Sequence, residues 1–238
     1  TTRNRRRGSI AVSARRVALR DSTLREGLDT PGVRFSLEER LEIAGALAEA
    51  GVPEAEIVAP SRVTEGLAFA RELAGTGSRL RRSGLVYANG DDPLSQVAAS
   101  ACLDHVDLLM PLSVRRAPHE PSIKAALLVE HLAAARRLHP DVGVGLPHAT
   151  QADRGFVAEI AARAAATGAS RITLYDTNGG SDPERTRALV GEVAGAAQVP
   201  VYFHAHNDLG LATANAWAAA RAGALGLDVT VNGLGDRA

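Results

Sequence analysis

Residues 201–208 read VYFHAHND, an apolar run that closes on two histidines separated by one residue. In a β-strand, the side chains at positions i and i+2 point to the same face, so His204 and His206 are expected to lie side by side. Two imidazoles on one face form part of a metal site, and a carboxylate is needed to complete it. Residues 21–27, DSTLREG, follow another apolar run and offer Glu26. The rest of the chain is interpreted as the scaffold that brings these two strand ends together.

Strand-like and helix-like segments alternate along the whole chain. Capping boxes at Ser36 with Glu39 and at Ser181 with Glu184 are each expected to begin a helix, and Gly51 is expected to end the first of these helices. The predicted strands cover residues 17–25, 55–59, 85–88, 106–112, 142–146, 171–175, 199–204 and 227–231. The predicted helices cover residues 36–50, 65–73, 93–103, 122–138, 154–167, 181–196 and 212–222. Short strands that alternate with longer helices predict βαβ units and parallel strand pairing.

Eight such units predict an α/β fold, a closed (β/α)8 TIM barrel. An open doubly wound sheet is the alternative, but no Gly-rich dinucleotide fingerprint follows the first predicted strand. Residues 1–16 are expected to form a basic, flexible tail, and residues 17–238 a single barrel domain that lacks its last helix. We therefore expect either that the chain is a fragment of a longer protein or that a partner covers the last strand.

The composition excludes several classes of protein. The chain has 27 basic and 27 acidic residues, so no general attraction to nucleic acid or to an anionic membrane is expected. The basic stretch at residues 3–7 is interpreted as a solvated tail rather than a nucleic-acid arm. The single cysteine, Cys102, excludes an internal disulfide and fits a reducing compartment. With no apolar run long enough to span a bilayer and no secretory signal, the sequence predicts a soluble, cytoplasmic protein.

Polar residues follow or end five of the predicted strands, where a barrel of this class carries its catalytic groups. A divalent ion held by Glu26, His204 and His206 would be a Lewis acid able to bind the oxygens of a 2-oxo acid. Arg25 would add a fixed positive charge beside it. Structural readings stay open, because Glu56 could simply pair with Arg25, and the other polar residues could be ordinary turn residues. The polar residues are Arg25, Glu26, Glu56, Asp176, Thr177, His204, His206 and Asn232.

Four motifs resemble the homocitrate synthase and isopropylmalate synthase family, the metal-dependent barrels that also include hydroxymethylglutaryl-CoA lyase. The motifs are DSTLREG at 21–27, DTNG at 176–179, HAHND at 204–208 and NGLGDRA at 232–238. They occur in the family's order and span nearly the whole chain. The glutamate that follows the arginine in the first motif most resembles homocitrate synthases.

The resemblance implies roles for individual residues. Glu26, His204 and His206 match the family's metal ligands, Arg25 its catalytic arginine, and Glu56 the glutamate that holds the arginine. The family's synthases join an acyl-CoA, usually acetyl-CoA, to a 2-oxo acid in a Claisen-type condensation. The implied cofactor is a divalent metal ion, Mg²⁺, Mn²⁺ or Zn²⁺. A homodimer is also implied, because family synthases often take a catalytic histidine from a segment beyond the barrel, across a dimer interface.

The chain departs from the family pattern at three places. The family's glutamine two residues after the motif glycine is Asp29 here, and residues 145–150 read GLPHAT where many synthases carry Ser-Pro-Glu-Asp. The loop at 113–119 matches the family's substrate loop only at Ser113 and carries two arginines, Arg115 and Arg116. These arginines would either bind a further acidic group of the substrate or face solvent. The candidate substrate-binding residues are Ser113, Arg116, Asp176, Thr177 and Asn232.

The predicted function is therefore a metal-dependent Claisen-type condensation of an acyl-CoA with a 2-oxo acid, as in homocitrate synthase. One alternative is a lyase or aldolase of the hydroxymethylglutaryl-CoA lyase type, which would cleave a carbon–carbon bond at the same metal site. The other is a degenerate barrel without catalysis, which would bind no metal.

Overall fold

The computed structural model describes residues 16–112 and 120–238, and eight parallel strands within them close into a barrel. The strands are β1 (Ala18–Asp21), β2 (Glu54–Val58), β3 (Arg81–Tyr87), β4 (His105–Leu109), β5 (Val142–Leu146), β6 (Ile172–Asp176), β7 (Val201–Ala205) and β8 (Gly226–Val229). The helices are α1 (Thr23–Glu26), α2 (Leu37–Glu49), α3 (Val63–Gly75), α4 (Pro93–Ala99), α5 (Glu120–Ala135), α6 (Arg154–Thr167), α7 (Pro183–Ala197) and α8 (Ala212–Ala222). Each strand pairs with the next, and β8 pairs with β1. The predicted (β/α)8 barrel is confirmed.

The first predicted strand, residues 17–25, is wrong at its end. The strand β1 stops at Asp21, because the Asp21 carboxylate accepts a hydrogen bond from the backbone N–H of Thr23 at 2.9 Å and turns the chain into α1. Arg25 and Glu26 therefore lie on a single helical turn that follows the strand, not on the strand itself.

One of the two predicted capping boxes is confirmed. At α2, the Ser36 hydroxyl accepts from the Glu39 N–H at 3.2 Å, and the Glu39 carboxylate accepts from the Ser36 N–H at 2.7 Å. At α7 the prediction is wrong, because Pro183 is the first helical residue and the preceding residue, Asp182, is the cap. Its carboxylate accepts from the N–H of Arg185 at 2.8 Å.

Several other boundaries also differ from the sequence prediction. The predicted helices at 93–103 and 122–138 end earlier, at Ala99 and Ala135, and the predicted strand at 85–88 begins earlier, at Arg81. This earlier start is stabilised by Asp104, which accepts hydrogen bonds from both the backbone and the side chain of Arg82. The strand β7 ends at Ala205, so His206 lies one residue beyond it.

The interior of the barrel carries charge at the level where many barrels carry branched apolar side chains. Arg20 on β1 is fully buried and donates two hydrogen bonds to Asp228 on β8, at 2.7 and 2.6 Å. A third, at 2.8 Å, goes to Asp107 on β4. Arg171, just before β6, donates to Asp107 at 3.1 Å and to Glu54 on β2 at 2.8 Å. We call these five residues the buried ion network.

A glycine makes room for this network. Gly143 on β5 faces Asp107 and His105, and a Cβ atom at this position would overlap the Oδ1 atom of Asp107. His105 bridges two carboxylates, with its ring nitrogens 2.9 Å from Asp107 and 2.9 Å from Asp141. Burial alone would raise the pKa of Asp107, but Arg171 and then His105 hold it well below the ordinary value of 3.8.

Apolar residues fill the space between the barrel and its helices, including Leu24, Ile57, Phe69, Leu108, Leu128, Ile160 and Phe203. In residues 16–112 and 120–238, no α-helix follows β8. The outward-facing Leu227 is only half-buried, and Trp217 on α8 is 67% exposed. Among the described helices, none has the length and apolar character needed to cross a membrane.

Candidate metal centre

Glu26, His204 and His206 meet at the carboxyl end of the barrel. All three are buried, and one ligand atom from each lies within 4.8 Å of the other two. The Nε2 atom of His204 is 3.4 Å from a carboxylate oxygen of Glu26, and the two imidazole rings are 5.0 Å apart at their centroids. The structure therefore brings together the residues at the two sequence stretches that were expected to meet.

Each histidine is oriented through its Nδ1 atom. His204 Nδ1 lies 2.9 Å from the Asp228 carboxylate, and His206 Nδ1 lies 2.7 Å from the backbone carbonyl oxygen of Asp236. Because both partners are acceptors, each Nδ1 donates, and an imidazole in its neutral form then keeps a lone pair on Nε2. Burial lowers the pKa of His206, and His204 lowers it further, which favours the neutral imidazole that a metal ion requires. Two imidazole nitrogens and one carboxylate form a donor set that fits a divalent ion.

Arg25 lies against this donor set and is fixed by Glu56. Its Nη1 atom contacts the Glu26 carboxylate, its Nη2 atom contacts the Glu56 carboxylate, and its Nε atom donates to Glu56 at 2.6 Å. Burial alone would lower the pKa of Arg25, but Glu56 and Glu26 raise it above its ordinary value. Ser22 also donates to Glu56, at 3.0 Å. The guanidinium is therefore a permanent positive charge with a defined orientation.

Arg20 contacts the carboxylates behind both the histidine side and the arginine side of the centre. Besides its two hydrogen bonds to Asp228, its guanidinium lies 3.3 Å from the Glu56 carboxylate. One buried cation thus contacts both the carboxylate that orients His204 and the carboxylate that holds Arg25. Burial alone would raise the pKa of Glu56, but Arg25 and then Arg20 lower it, so Glu56 stays ionised.

A cavity of about 240 Å³ opens above the centre. Arg25, Glu26, His204 and His206 form part of its lining, as does the predicted substrate residue Thr177. The rest of the wall is a mixture of polar and apolar side chains from several strands and loops. It includes Asp29, Ser61, Leu85, Tyr87, Leu109, Pro147, Tyr175, Asp236 and Arg237. We call this space the mouth cavity.

The structure does not bring every predicted substrate residue to the mouth cavity. Asp176 is fully buried, and its carboxylate accepts hydrogen bonds from Thr150 at 2.6 Å, Gln151 at 3.0 Å and the N–H of Ser181 at 3.1 Å. Asp176 therefore links the loop that carries Thr150 and Gln151 to the loop that carries Ser181. Asn232 is exposed in the short turn after β8 and has a left-handed backbone conformation, with φ at +53°. The other two predicted substrate residues, Ser113 and Arg116, lie outside the described residues.

Sequence reasoning missed the residues beneath the centre. Asp228 and Arg20 are charged residues inside otherwise apolar strands, a pattern that indicates a buried ion pair. Their partnership depends on the register that places Arg20 opposite Asp228 when β1 and β8 close the barrel. No local sequence signal indicates the Asp236 carbonyl as the partner of His206, because any residue supplies a backbone carbonyl.

Comparison with known proteins gives a consistent group of relatives. The chain is 34% identical to homocitrate synthase 1 of a Nostoc species, over 94% of this chain and 60% of that protein. It is 34% identical to the 2-isopropylmalate synthase of Pyrococcus furiosus, over 94% of this chain and 47% of that protein. It is 35% identical to the 2-phosphonomethylmalate synthase of Streptomyces rubellomurinus, over 93% of this chain and 60% of that protein. The chain spans about half the length of the curated relatives it matches.

Solved structures agree on the fold. The carboxyl transferase domain of Rhizobium etli pyruvate carboxylase superposes with a TM-score of 0.76 at 20% identity, over 94% of this chain and 41% of that chain. The family model described as HMGL-like matches residues 16–238, which includes every strand of the barrel and all three residues of the donor set. The chain therefore belongs to the HMGL-like family.

Proposed function

We propose that the protein catalyses a Claisen-type condensation between an acyl-CoA, with acetyl-CoA as the expected donor, and a 2-oxo acid. The observation that carries this proposal is the donor set of Glu26, His204 and His206, which lies beside a fixed Arg25 at the floor of the mouth cavity. The relatives named above are synthases, and those names support the same class of reaction.

In this proposal Glu26, His204 and His206 hold a divalent ion, Mg²⁺, Mn²⁺ or Zn²⁺. A bound ion would supply Lewis acidity toward the ketone and carboxylate oxygens of the 2-oxo acid. The chain itself contributes the orientation of the ligands, because Asp228 and the Asp236 carbonyl fix the two imidazole rings. Asp228 is thus proposed as a positioning residue that acts through His204.

Arg25 is proposed as the catalytic arginine. Its guanidinium lines the mouth cavity and is held by Glu56, so its charge is already in position before a substrate binds. Negative charge develops on the ketone oxygen when a carbon nucleophile attacks the ketone carbon. A preorganised cation beside that oxygen stabilises the transition state without a further cost of reorganisation.

The proposed condensation forms one carbon–carbon bond and cleaves one thioester. A base removes a proton from the carbon next to the thioester carbonyl, and this carbon forms a bond to the ketone carbon of the 2-oxo acid. The ketone oxygen takes up a proton and becomes a hydroxyl group. Water then cleaves the thioester and releases the CoA thiol. Thr177, on the wall of the mouth cavity, is proposed to bind the 2-oxo acid, together with Ser113 and Arg116 from the sequence segment that resembles the family's substrate loop.

The test is release of the CoA thiol from acetyl-CoA across a panel of 2-oxo acids that includes 2-oxoglutarate, with Mn²⁺ or Mg²⁺ and with a chelator. We expect release with one 2-oxo acid, and we expect the chelator to abolish it. If protein that binds Mn²⁺ releases no CoA thiol with any 2-oxo acid of the panel, the proposed condensation is overturned. In that case, cleavage of a carbon–carbon bond in a 3-hydroxy acid or its thioester would identify the lyase alternative. Protein that binds no divalent ion would instead support the non-catalytic barrel.

A further inference from the structure

Tyr175 is a large side chain in the barrel interior to which neither the sequence motifs nor the proposed reaction gives a role. It lies on β6 directly opposite His204 on β7, and the two rings are 4.7 Å apart at their centroids. Its side chain is buried and forms part of the wall of the mouth cavity. Tyr175 is therefore on the same level of the barrel as the metal centre.

The hydroxyl group of Tyr175 has no hydrogen-bond partner in the part of the chain that the structure describes. Its ring packs with Leu85 and Leu109, which are apolar and offer no hydrogen-bond partner. The neighbouring strand β5 carries Gly145, and a Cβ atom there would lie 3.0 Å from the tyrosine ring. The glycine leaves room for the ring but offers its hydroxyl no side-chain partner. Buried polar groups without a partner are rare in folded proteins and costly.

We propose that the Tyr175 hydroxyl is a substrate-binding group that donates a hydrogen bond to an oxygen of the 2-oxo acid bound at the metal centre. The inference rests on the proposed function, but the proposed function does not itself require Tyr175. The carboxylate and ketone oxygens of a 2-oxo acid are acceptors without protons, so they need donors. A phenol supplies a donor without a further charge beside the two buried arginines, Arg20 and Arg25.

The competing explanation is that Tyr175 only fills space beneath the mouth cavity. Tyr175→Phe separates the two explanations, because it keeps the ring against Leu85, Leu109 and His204 and removes only the hydroxyl. Since that hydroxyl has no partner among the described residues, its removal leaves no other group unpaired. The variant is therefore expected to fold as the wild type does, and thermal unfolding checks this.

The matched control is Tyr202→Phe. Tyr202 lies on the neighbouring strand one level further from the mouth, where its ring packs on Arg171 at 4.7 Å from the guanidinium. The control removes the same atom from the same type of residue inside the same barrel. It does so outside the wall of the mouth cavity.

The probe is oxalate, which presents the paired oxygens of a 2-oxo acid without a side chain, and its affinity is measured calorimetrically in protein saturated with Mn²⁺. We expect Tyr175→Phe to weaken oxalate binding by about tenfold, while Tyr202→Phe leaves the affinity unchanged. Equal affinities for wild type and Tyr175→Phe would overturn the inference and leave the condensation proposal standing. Absence of oxalate binding to the Mn²⁺-loaded wild type would overturn the substrate site on which both rest. If Tyr175→Phe weakens oxalate binding but the wild-type protein releases no CoA thiol, the inference is supported and the condensation is not.

A measurement on the wild type does not depend on how the variant folds. The chain has three tyrosines, so protein labelled with 3-fluorotyrosine gives three ¹⁹F signals. Phenylalanine variants at Tyr87 and Tyr202 assign two of these signals and leave the third for Tyr175. We expect the Tyr175 signal to shift when oxalate is added to protein loaded with Mg²⁺. A signal that does not move during saturation would contradict the hydrogen bond.

Discussion

The Nδ1 atom of His204 lies 2.9 Å from the Oδ2 atom of Asp228, and the same oxygen lies 2.6 Å from Arg20. A candidate metal ligand is therefore linked, through one carboxylate, to the buried ion network inside the barrel. Burial alone would raise the pKa of Asp228, but Arg20 and His204 together hold it below its ordinary value of 3.8, so the carboxylate accepts from His204 at neutral pH. This linkage predicts that residues outside the donor set affect the affinity of the protein for a divalent ion.

The first prediction concerns Asp228→Asn. The substitution removes the charged acceptor that orients His204, so we expect the affinity for Mn²⁺ to fall by about tenfold or more. Isothermal titration calorimetry measures this affinity in protein shown by circular dichroism to be folded. Asp141→Asn is the matched control, because it removes a carboxylate that lies 2.9 Å from another histidine, His105. An unchanged Mn²⁺ affinity in Asp228→Asn would show that the carboxylate does not orient the ligand.

The second prediction concerns His206→Ala. The residue lies just beyond β7 at the edge of the mouth cavity, so its removal should abolish bound metal and activity while the fold persists. Metal content is measured by mass spectrometry after dialysis, and the fold by thermal unfolding. His131→Ala, which removes a half-buried histidine on α5, should keep its full metal content. Full metal content in His206→Ala would remove His206 from the proposed donor set.

The third prediction concerns Arg25→Lys. The lysine ammonium is a single point charge and cannot reproduce the planar fork whose three nitrogens contact Glu26 and Glu56. We expect the variant to bind metal but to lose rate, by about 2 kcal/mol or more of transition-state stabilisation. Steady-state kinetics of CoA thiol release measures the loss. The control is Arg154→Lys, which changes an arginine in an exposed surface ion pair with Glu192. Wild-type turnover in Arg25→Lys would show that the arginine has only a structural role.

The fourth prediction concerns the space that Gly143 provides. Because a Cβ atom would overlap Asp107 and press on His105 and Arg171, Gly143→Ala should lower the free energy of unfolding by about 2 kcal/mol or more. Gly45→Ala on helix α2 is the control, since a Cβ atom there meets nothing within 4 Å. It should raise stability by about 0.5 to 1 kcal/mol. Urea unfolding measures the stability of both variants. Equal unfolding free energies for Gly143→Ala and the wild type would contradict the close packing around Asp107.

The fifth prediction concerns pH. Burial alone would raise the pKa of Asp141, but hydrogen bonds from His105 and Arg81 are among the causes that hold it below its ordinary value of 3.8. A carboxylate whose pKa is lower in the folded state stabilises the fold above the unfolded-state pKa, and this stabilisation is lost as the pH falls through the folded-state pKa. The difference in unfolding free energy between wild type and Asp141→Asn should therefore be largest near pH 7. It should shrink steadily below about pH 4.

Urea titrations of both proteins at pH 7, 5, 4 and 3 measure this difference. Asp153→Asn, which changes an exposed helix cap on α6, controls for a general effect of removing one carboxylate. A difference between wild type and Asp141→Asn that stays constant over this range would mean that the Asp141 ion pairs do not stabilise the folded state.

The fold and the donor set were predictable from sequence for a common reason. Alternation of short apolar runs with capped helices is a local pattern, and so is the spacing that puts His204 and His206 on one face. The location of the candidate site then follows, because the carboxyl ends of all strands in a parallel barrel meet at one end. Glu26 was placed correctly beside the histidines even though it lies on a helical turn and not on the predicted strand.

The parts that sequence could not supply depend on register and on competing local partners. Arg20 and Asp228 are 208 positions apart and meet only because the barrel closes with β1 beside β8. Ser181 and Asp182 are both good helix caps, and the choice between them depended on Pro183. The unpartnered hydroxyl of Tyr175 depends on a glycine of the neighbouring strand β5, Gly145, which no local pattern relates to it.

The hydrogen bond from His206 to the main-chain carbonyl of Asp236 has a genetic consequence. Codon changes at position 236 alter the side chain but leave the carbonyl oxygen in place, so missense variation there cannot remove the acceptor. An inserted or deleted residue between positions 230 and 236 would displace that oxygen. Deep mutational scanning should therefore find position 236 tolerant of many amino-acid exchanges and the segment intolerant of changes in its length.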